Sequence, residues 1–289
     1  MDWINAVVQG LLLGGVYAMF ATGLSLAFGV MRLVNLAHGQ LALVAAFGTL
    51  SLTDATGWNP LAALALVVPA MAVLGYLLQR GVFDQTLTGD PLTSILVTFG
   101  LAVVIENLLL EHYSADAQGL GAGSIETATI TLTDELSIGW LRLIGLLTAV
   151  AVLAALSLYL GHSRTGRALR ATADDEATAE LMGIPTRRLH GLAMALALGT
   201  VGIAGVFLGI QTTFAPSEGN GLLLFAFEAV IIGGLGSLWG TLAGGLVLGV
   251  AQTVGAQVEP GWSVLTGHLV FLAVLVVRPT GLFRRAVPA

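Results

Sequence analysis

Apolar residues run along the chain in nine long blocks broken by short polar stretches: 5–30, 33–52, 60–79, 92–112, 140–161, 190–213, 222–238, 240–257 and 262–277. A helix that crosses a bilayer needs about 20 mostly apolar residues. The blocks therefore predict an all-α integral membrane protein, a polytopic bundle of eight or nine transmembrane helices in a single domain over 1–289. Two regions break the pattern. Block 33–52 carries Asn35, His38 and Gln40 near its start, and blocks 222–238 and 240–257 meet in a Gly-rich stretch at Leu238-Trp239. Either is a candidate for a broken or re-entrant helix rather than a clean span, which lipid permits only where protein shields the backbone.

Composition fits a lipid solvent. The chain is 56% hydrophobic and 10% charged, whereas soluble domains carry about 25% charged residues. There is no cysteine, which excludes disulfides, thiolate zinc sites and cysteine nucleophiles. The net charge of -6 argues against a nucleic-acid partner, which would meet a basic face. Met1-Asp2-Trp3 lacks the basic flank of a signal peptide, so the first block is expected to be a retained helix.

Charge sets the expected orientation, because cytoplasmic loops collect Arg. The 163–189 loop holds Arg164, Arg167, Arg170, Arg187 and Arg188, and the tail holds Arg278, Arg284 and Arg285. The 113–139 loop holds Asp116, Glu126, Asp134 and Glu135 and no basic residue; the connections near Asp54, Glu218 and Glu259 are also acid-only. Arg32 and Arg80 fall where nine crossings place cytoplasmic turns. The expected solution is a multi-pass cell-membrane protein with the N-terminus outside and the 163–189 loop and C-terminus cytoplasmic.

Thirty-eight glycines include pairs four apart: Gly10 with Gly14, Gly205 with Gly209, Gly240 with Gly244 and Gly245 with Gly249. Gly199, Gly202 and Gly205 add a second stripe. Such spacing lets helix backbones approach closely and predicts a tightly packed bundle. Pro91 is expected to open a helix after a Thr88-Gly89-Asp90 turn.

Two loops carry pattern of their own. From Asp174 the sequence reads as a short helix: Asp174, Asp175 and Glu176 sit in its first turn, Glu180 lies further on, and Ala177, Leu181 and Met182 form an apolar stripe. Gly183 and Pro185 stop it. That segment is a candidate docking element for a cytoplasmic protein, or a surface helix with no partner. Across the membrane, Thr127 to Thr133 alternates like a strand after Gly119, Gly121 and Gly123. This is the pattern of a small hairpin lid, a docking surface or a passive loop.

Ionisable and amide side chains inside the blocks are costly unless they face the bundle interior or a cavity. Glu106, Asn107, Glu228, His268 and the Asn35/His38/Gln40 group are the candidates for a translocation path, with satisfied interhelical hydrogen bonds as the structural alternative. No HExxH, GxSxG, Walker lysine motif or paired-histidine metal spacing occurs. Neither an enzyme nor a bound cofactor or metal is expected.

The chain resembles the LivH-type permease subunits of branched-chain amino-acid ABC transporters. The resemblance lies in Gly23-Leu24-Ser25-Leu26-Ala27-Phe28-Gly29-Val30-Met31-Arg32-Leu33-Val34-Asn35-Leu36-Ala37-His38-Gly39, in Thr165-Gly166-Arg167-Ala168-Leu169-Arg170-Ala171 with Leu181-Met182-Gly183-Ile184, in Glu228 to Ser237, and in Arg278-Pro279-Thr280-Gly281-Leu282-Phe283. It implies a LivM-like second permease, two cytoplasmic ATPase subunits similar to LivG and LivF that bind the ATP, and an extracytoplasmic amino-acid-binding protein. It also implies that 173–184 is the coupling helix seated on an ATPase, with Glu176-Ala177 and Gly183 in place of an EAA…G pattern. Leucine, isoleucine or valine would pass between the two permeases. A relative for urea, amides or other amino acids remains an alternative, and a secondary carrier or channel is a more distant one.

Overall fold

The computed structural model describes residues 2–86, 91–133 and 136–283. The expected Thr88-Gly89-Asp90 turn, Asp134, Glu135, Arg284 and Arg285 lie outside them. Among the described residues eleven α-helices follow in order: α1 Asp2–Met31, α2 His38–Thr56, α3 Pro60–Gly81, α4 Pro91–Tyr113, α5 Trp140–His162, α6 Arg164–Asp174, α7 Glu176–Leu181, α8 Thr186–Gln211, α9 Gly219–Gly233, α10 Leu238–Val258 and α11 Ser263–Val277. Nine of these match the nine apolar blocks. Seven are long and apolar enough to cross a membrane; α2 and α9, from the two regions that are candidates for a break, are not. A hairpin of β1 Thr129–Thr133 and β2 Leu136–Gly139 sits between α4 and α5.

The loops sort onto two faces. Gln9 near the start of α1 donates to the Ser137 carbonyl at 2.8 Å, Asn59 donates to the Ala122 carbonyl at 3.3 Å, and Gln118 pairs with Phe214. These contacts gather the N-terminus, the 114–139 segment and the end of α8 on one face, here called the acidic face. On the opposite face, the cavity beside Met31 and Arg32 is lined by Thr172–Ala177, and Leu282 and Phe283 return to donate to Ile232 and Gly233 carbonyls. This is the arginine face. Arg142, near the start of α5, is an exception: it lies on the acidic side and donates to Gln9 Oε1 at 2.8 Å.

Glycine decides how the central helices meet. Gly10 and Gly14 of α1 lie directly against Gly249 and Gly245 of α10, so a Cβ on any of the four would meet backbone atoms. The two pairs seen in the sequence are thus the two halves of one interface. Gly240 and Gly244 meet Gly233 and Ala229 of α9 in the same way, and Gly205 meets Ala42 of α2. Gly202 packs on Met71 of α3. Backbones brought this close gain dispersion over their length, the main attraction left between helices in lipid. α1 and α8 are mostly buried in this core, whereas α11 lies at its edge with few fully buried residues.

Block 33–52 is not a clean span. α1 ends at Met31 on the arginine face, and residues 32–37 run without helix back into the bundle. His38, the first residue of α2, places Nε2 at 2.8 Å from the Phe20 carbonyl. Phe20 is eleven residues before Met31, about 16 Å of helix rise. α2 therefore starts inside the membrane and climbs to the acidic face. α9 is its complement. Residues 212–218 turn inward from the acidic face, and α9 starts against α2, where Gly39 abuts the Gly219 carbonyl. It then descends for 15 residues to the arginine face.

Candidate translocation site and coupling surface

The N-terminal turns of two half-helices meet inside the membrane, and a polar site surrounds the junction. Gly39 leaves no room for a side chain beside Gly219 and the Leu223 amide, and the Gln40 carboxamide lies over Gly219. Asn35 Oδ1 accepts from the Ala37 amide at 3.0 Å, which shapes the entry to α2. Gln40 Nε2 donates to Glu106 Oε2 of α4 at 3.0 Å. Asn35, His38 and Gln40 are each buried. They are the frame of the junction: His38 ties α2 to α1, and Gln40 ties it to α4.

The outward rim is different. Glu106 is half-buried, while Asn107, Ser217, Glu218 and Asn220 are exposed. Glu106 lies seven residues before the end of α4 at Tyr113, about 10 Å of rise, and the turn Pro216–Glu218 packs against the same helix. Acids and amides exposed at this depth are incompatible with a lipid neighbour. The sequence had placed Glu218 in a surface connection; the inward dip of 212–218 carries it down. Both helix N-termini also direct a positive partial charge toward the junction, close to the Glu106 and Glu218 carboxylates.

Glu228 does not join this group. It is buried between α9 and α11, and His268 Nδ1 bonds to its Oε1. Tyr17 packs tilted against Phe225 with ring centroids 5.2 Å apart and donates to Gln252 Oε1 at 2.6 Å. The result is an interior polar lock joining α1, α9, α10 and α11.

The arginine-face segment folds as two helices rather than one. α6 was not expected from the sequence; the signal was Ser163, whose Oγ accepts from the Gly166 amide at 2.8 Å as an N-cap. The helix expected from Asp174 starts two residues later, because Asp175 is the cap. Its Oδ1 accepts from the Thr178 amide at 3.1 Å and its Oδ2 from the Thr178 hydroxyl at 2.6 Å. These bonds from Thr178 hold the Asp175 carboxyl below its ordinary value. Gly183 adopts φ +79° and ends the turn, and Thr186 donates to Glu180 at 2.6 Å.

Ala179 is buried and anchors α7. Asp174, Asp175, Glu176, Ala177, Glu180 and Gly183 are exposed. So are Leu181 and Met182, at 88% and 78% of their surface.

A bundle with a re-entrant polar junction and an exposed, capped helix on its arginine face has the architecture of a polytopic membrane permease. Residues 6–277 match the family model described as the branched-chain amino acid transport system / permease component, and the chain belongs to this family, a family of transport subunits rather than enzymes. It is 27% identical to the high-affinity branched-chain amino acid transport system permease protein BraD of Pseudomonas aeruginosa, over 98% of this chain and 96% of that one. It is 28% identical to LivH of Escherichia coli K12, over 98% and 96%. The autoinducer 2 import system permease LsrC of Yersinia pseudotuberculosis is 30% identical over 55% of this chain and 46% of its own.

Proposed function

We propose that this chain is one of two permease subunits of an ABC importer for branched-chain amino acids, driven by two cytoplasmic ATPase subunits and fed by an extracytoplasmic binding protein. The observation that carries the reading is α7. A six-residue helix is too short to persist alone, yet this one is capped at both ends and presents Leu181 and Met182 to the outside. An exposed apolar pair on a helix that also exposes Asp175, Glu176 and Glu180 fits a groove on a protein partner, with the acids at the rim. The arginine face is then the cytoplasmic face, with the C-terminus on it, in the cell membrane.

The amino acid passes along the exposed side of the half-helix junction, between this chain and a second permease. Asn107, Glu106, Glu218 and Asn220 line the path, with Asn35, His38 and Gln40 holding its wall. Closure of the ATPase pair moves α6–α7 as a rigid lever and rocks the bundle. Glu228 stabilises the bundle rather than meeting the cargo. The partial likeness to an autoinducer 2 permease keeps one second reading open: the same machine with another small polar cargo, such as another amino acid, an amide or urea.

The test is the pair Leu181→Asp and Met182→Asp. The double variant is expected to purify as a folded membrane protein, to lose the co-purifying ATPase subunits, and to drop uptake at least about tenfold, as for loss of an interface hot spot. ATPases that remain bound, with uptake intact, would overturn the coupling role.

A further inference from the structure

A second cavity, remote from the half-helix junction, lies on the arginine face between α1, α5, α6 and the turn that joins α9 to α10. Its volume is about 330 Å³. Leu26, Val30, Leu160 and Leu169 form apolar walls. The polar groups are few and placed at the ends. Ser25 is buried on the floor, and its Oγ has no hydrogen-bond partner in the protein. Arg170 and Asp174 stand at the mouth, one turn apart on α6.

Arg170 directs Nη2 to the Gly161 carbonyl at 3.2 Å and keeps further donors for an anion. On the other side α10 begins, capped by Ser237, whose Oγ accepts from the Gly240 amide at 3.1 Å. The amides of Leu238 and Trp239 are first-turn groups without helical acceptors. Trp239 is half exposed and donates to Ser157 Oγ at 3.3 Å. A tryptophan in this setting marks the level of the lipid headgroups.

We propose that this cavity binds a phospholipid with a phosphoethanolamine headgroup from the leaflet on the arginine face. The phosphate sits between the Arg170 guanidinium and the first amides of α10, which suits both donors. The primary ammonium takes the Asp174 carboxylate, and the lone carboxylate disfavours a purely anionic headgroup. The glycerol ester region meets Ser25 Oγ. At about 330 Å³ the cavity is at the small end of ligand sites. It holds the headgroup and the first methylenes, and the acyl tails pass out beside exposed Leu158. A lipid seated here fills the gap between α6 and the bundle.

The experiment is native mass spectrometry of the delipidated full-length transporter offered phosphatidylethanolamine, phosphatidylcholine, phosphatidylglycerol or inorganic phosphate. One phosphatidylethanolamine per copy of this chain is expected to be retained, with about tenfold preference over the other two lipids. Arg170→Gln removes the adduct, and Asp174→Asn erases the preference over phosphatidylglycerol. Gly161→Leu fills the cavity at a position where an added Cβ meets no atom within 4 Å; it abolishes retention without lowering the melting temperature. If Arg170→Gln fails to fold, Gly161→Leu decides. Equal retention of all three lipids, or retention that survives Gly161→Leu, would overturn the proposal. So would retention of inorganic phosphate alone.

Discussion

Asp175 separates α6 from α7, and its extended backbone makes it the last residue outside the second helix. Its carboxylate accepts two bonds from Thr178, and these hold its pKa below the ordinary value of 3.8. A carboxyl depressed in the folded state contributes stability above its unfolded pKa, and that contribution fades as pH falls through the folded value. Amide protection across 176–182, corrected for intrinsic exchange, is therefore expected to be flat near neutral pH and to decline below about pH 4. Asp175→Ala should show the reduced protection already at pH 7 and should lose the dependence on pH; protection unchanged by the substitution would refute the cap. Ser163 and Gly183 act at the same scale: one starts α6, the other turns the chain at φ +79° after α7. All three are legible in sequence as residue types. Gly183 was read from the sequence as a stop; Ser163 was recognised as a cap only once the structure showed α6, and Asp175 needed the structure to fix its register, since Asp174, Asp175 and Glu176 are all plausible first-turn acids.

Helix against helix, the α1–α10 seam is made of opposed glycines at 10, 14, 245 and 249. Gly249→Leu would force the backbones apart, an overpacking that costs about 1–3 kcal/mol or more. Gly48→Leu is the matched control, because a Cβ there meets nothing within 4 Å. Thermal melting of the purified protein should fall by several degrees for the first and stay near wild type for the second. Equal melting would remove the seam from the account of stability. The half-helices are a different case. Their broken character was visible in Asn35, His38 and Gln40 and in the glycines after Glu228, because polar groups and Gly interrupt an apolar run. Their meeting was not visible, because it depends on Gly39 and Gly219 approaching across 180 positions of chain.

Across the whole molecule, the polar rim of the junction must be wet or covered by a second permease, whereas α4 and α11 present broad apolar surface. Val104 and Leu265 are about half exposed there. The natural chain has no cysteine, so single cysteines report cleanly. In membranes, Ser217→Cys and Asn220→Cys are expected to react with a hydrophilic thiosulfonate and to be protected by transported amino acid. Val104→Cys and Leu265→Cys should remain unlabelled. Silence at both rim positions throughout the transport cycle would move the path elsewhere.

The sequence by itself determined the solvent, the nine apolar segments, the two charged faces and the family, because these depend on composition, on runs of about 20 residues and on local motifs. Glu106 and Gln40, Glu228 and His268, and the two glycine pairs could each be singled out, but not joined to their partners. Tertiary structure decided the joining. It made Gln40 hold Glu106, withdrew Glu228 to the interior with His268, and carried Glu218 inward from a surface connection. The reason is physical: in lipid a polar group must find a partner inside the protein. That partner belongs to another helix, at a distance along the chain that no local pattern records.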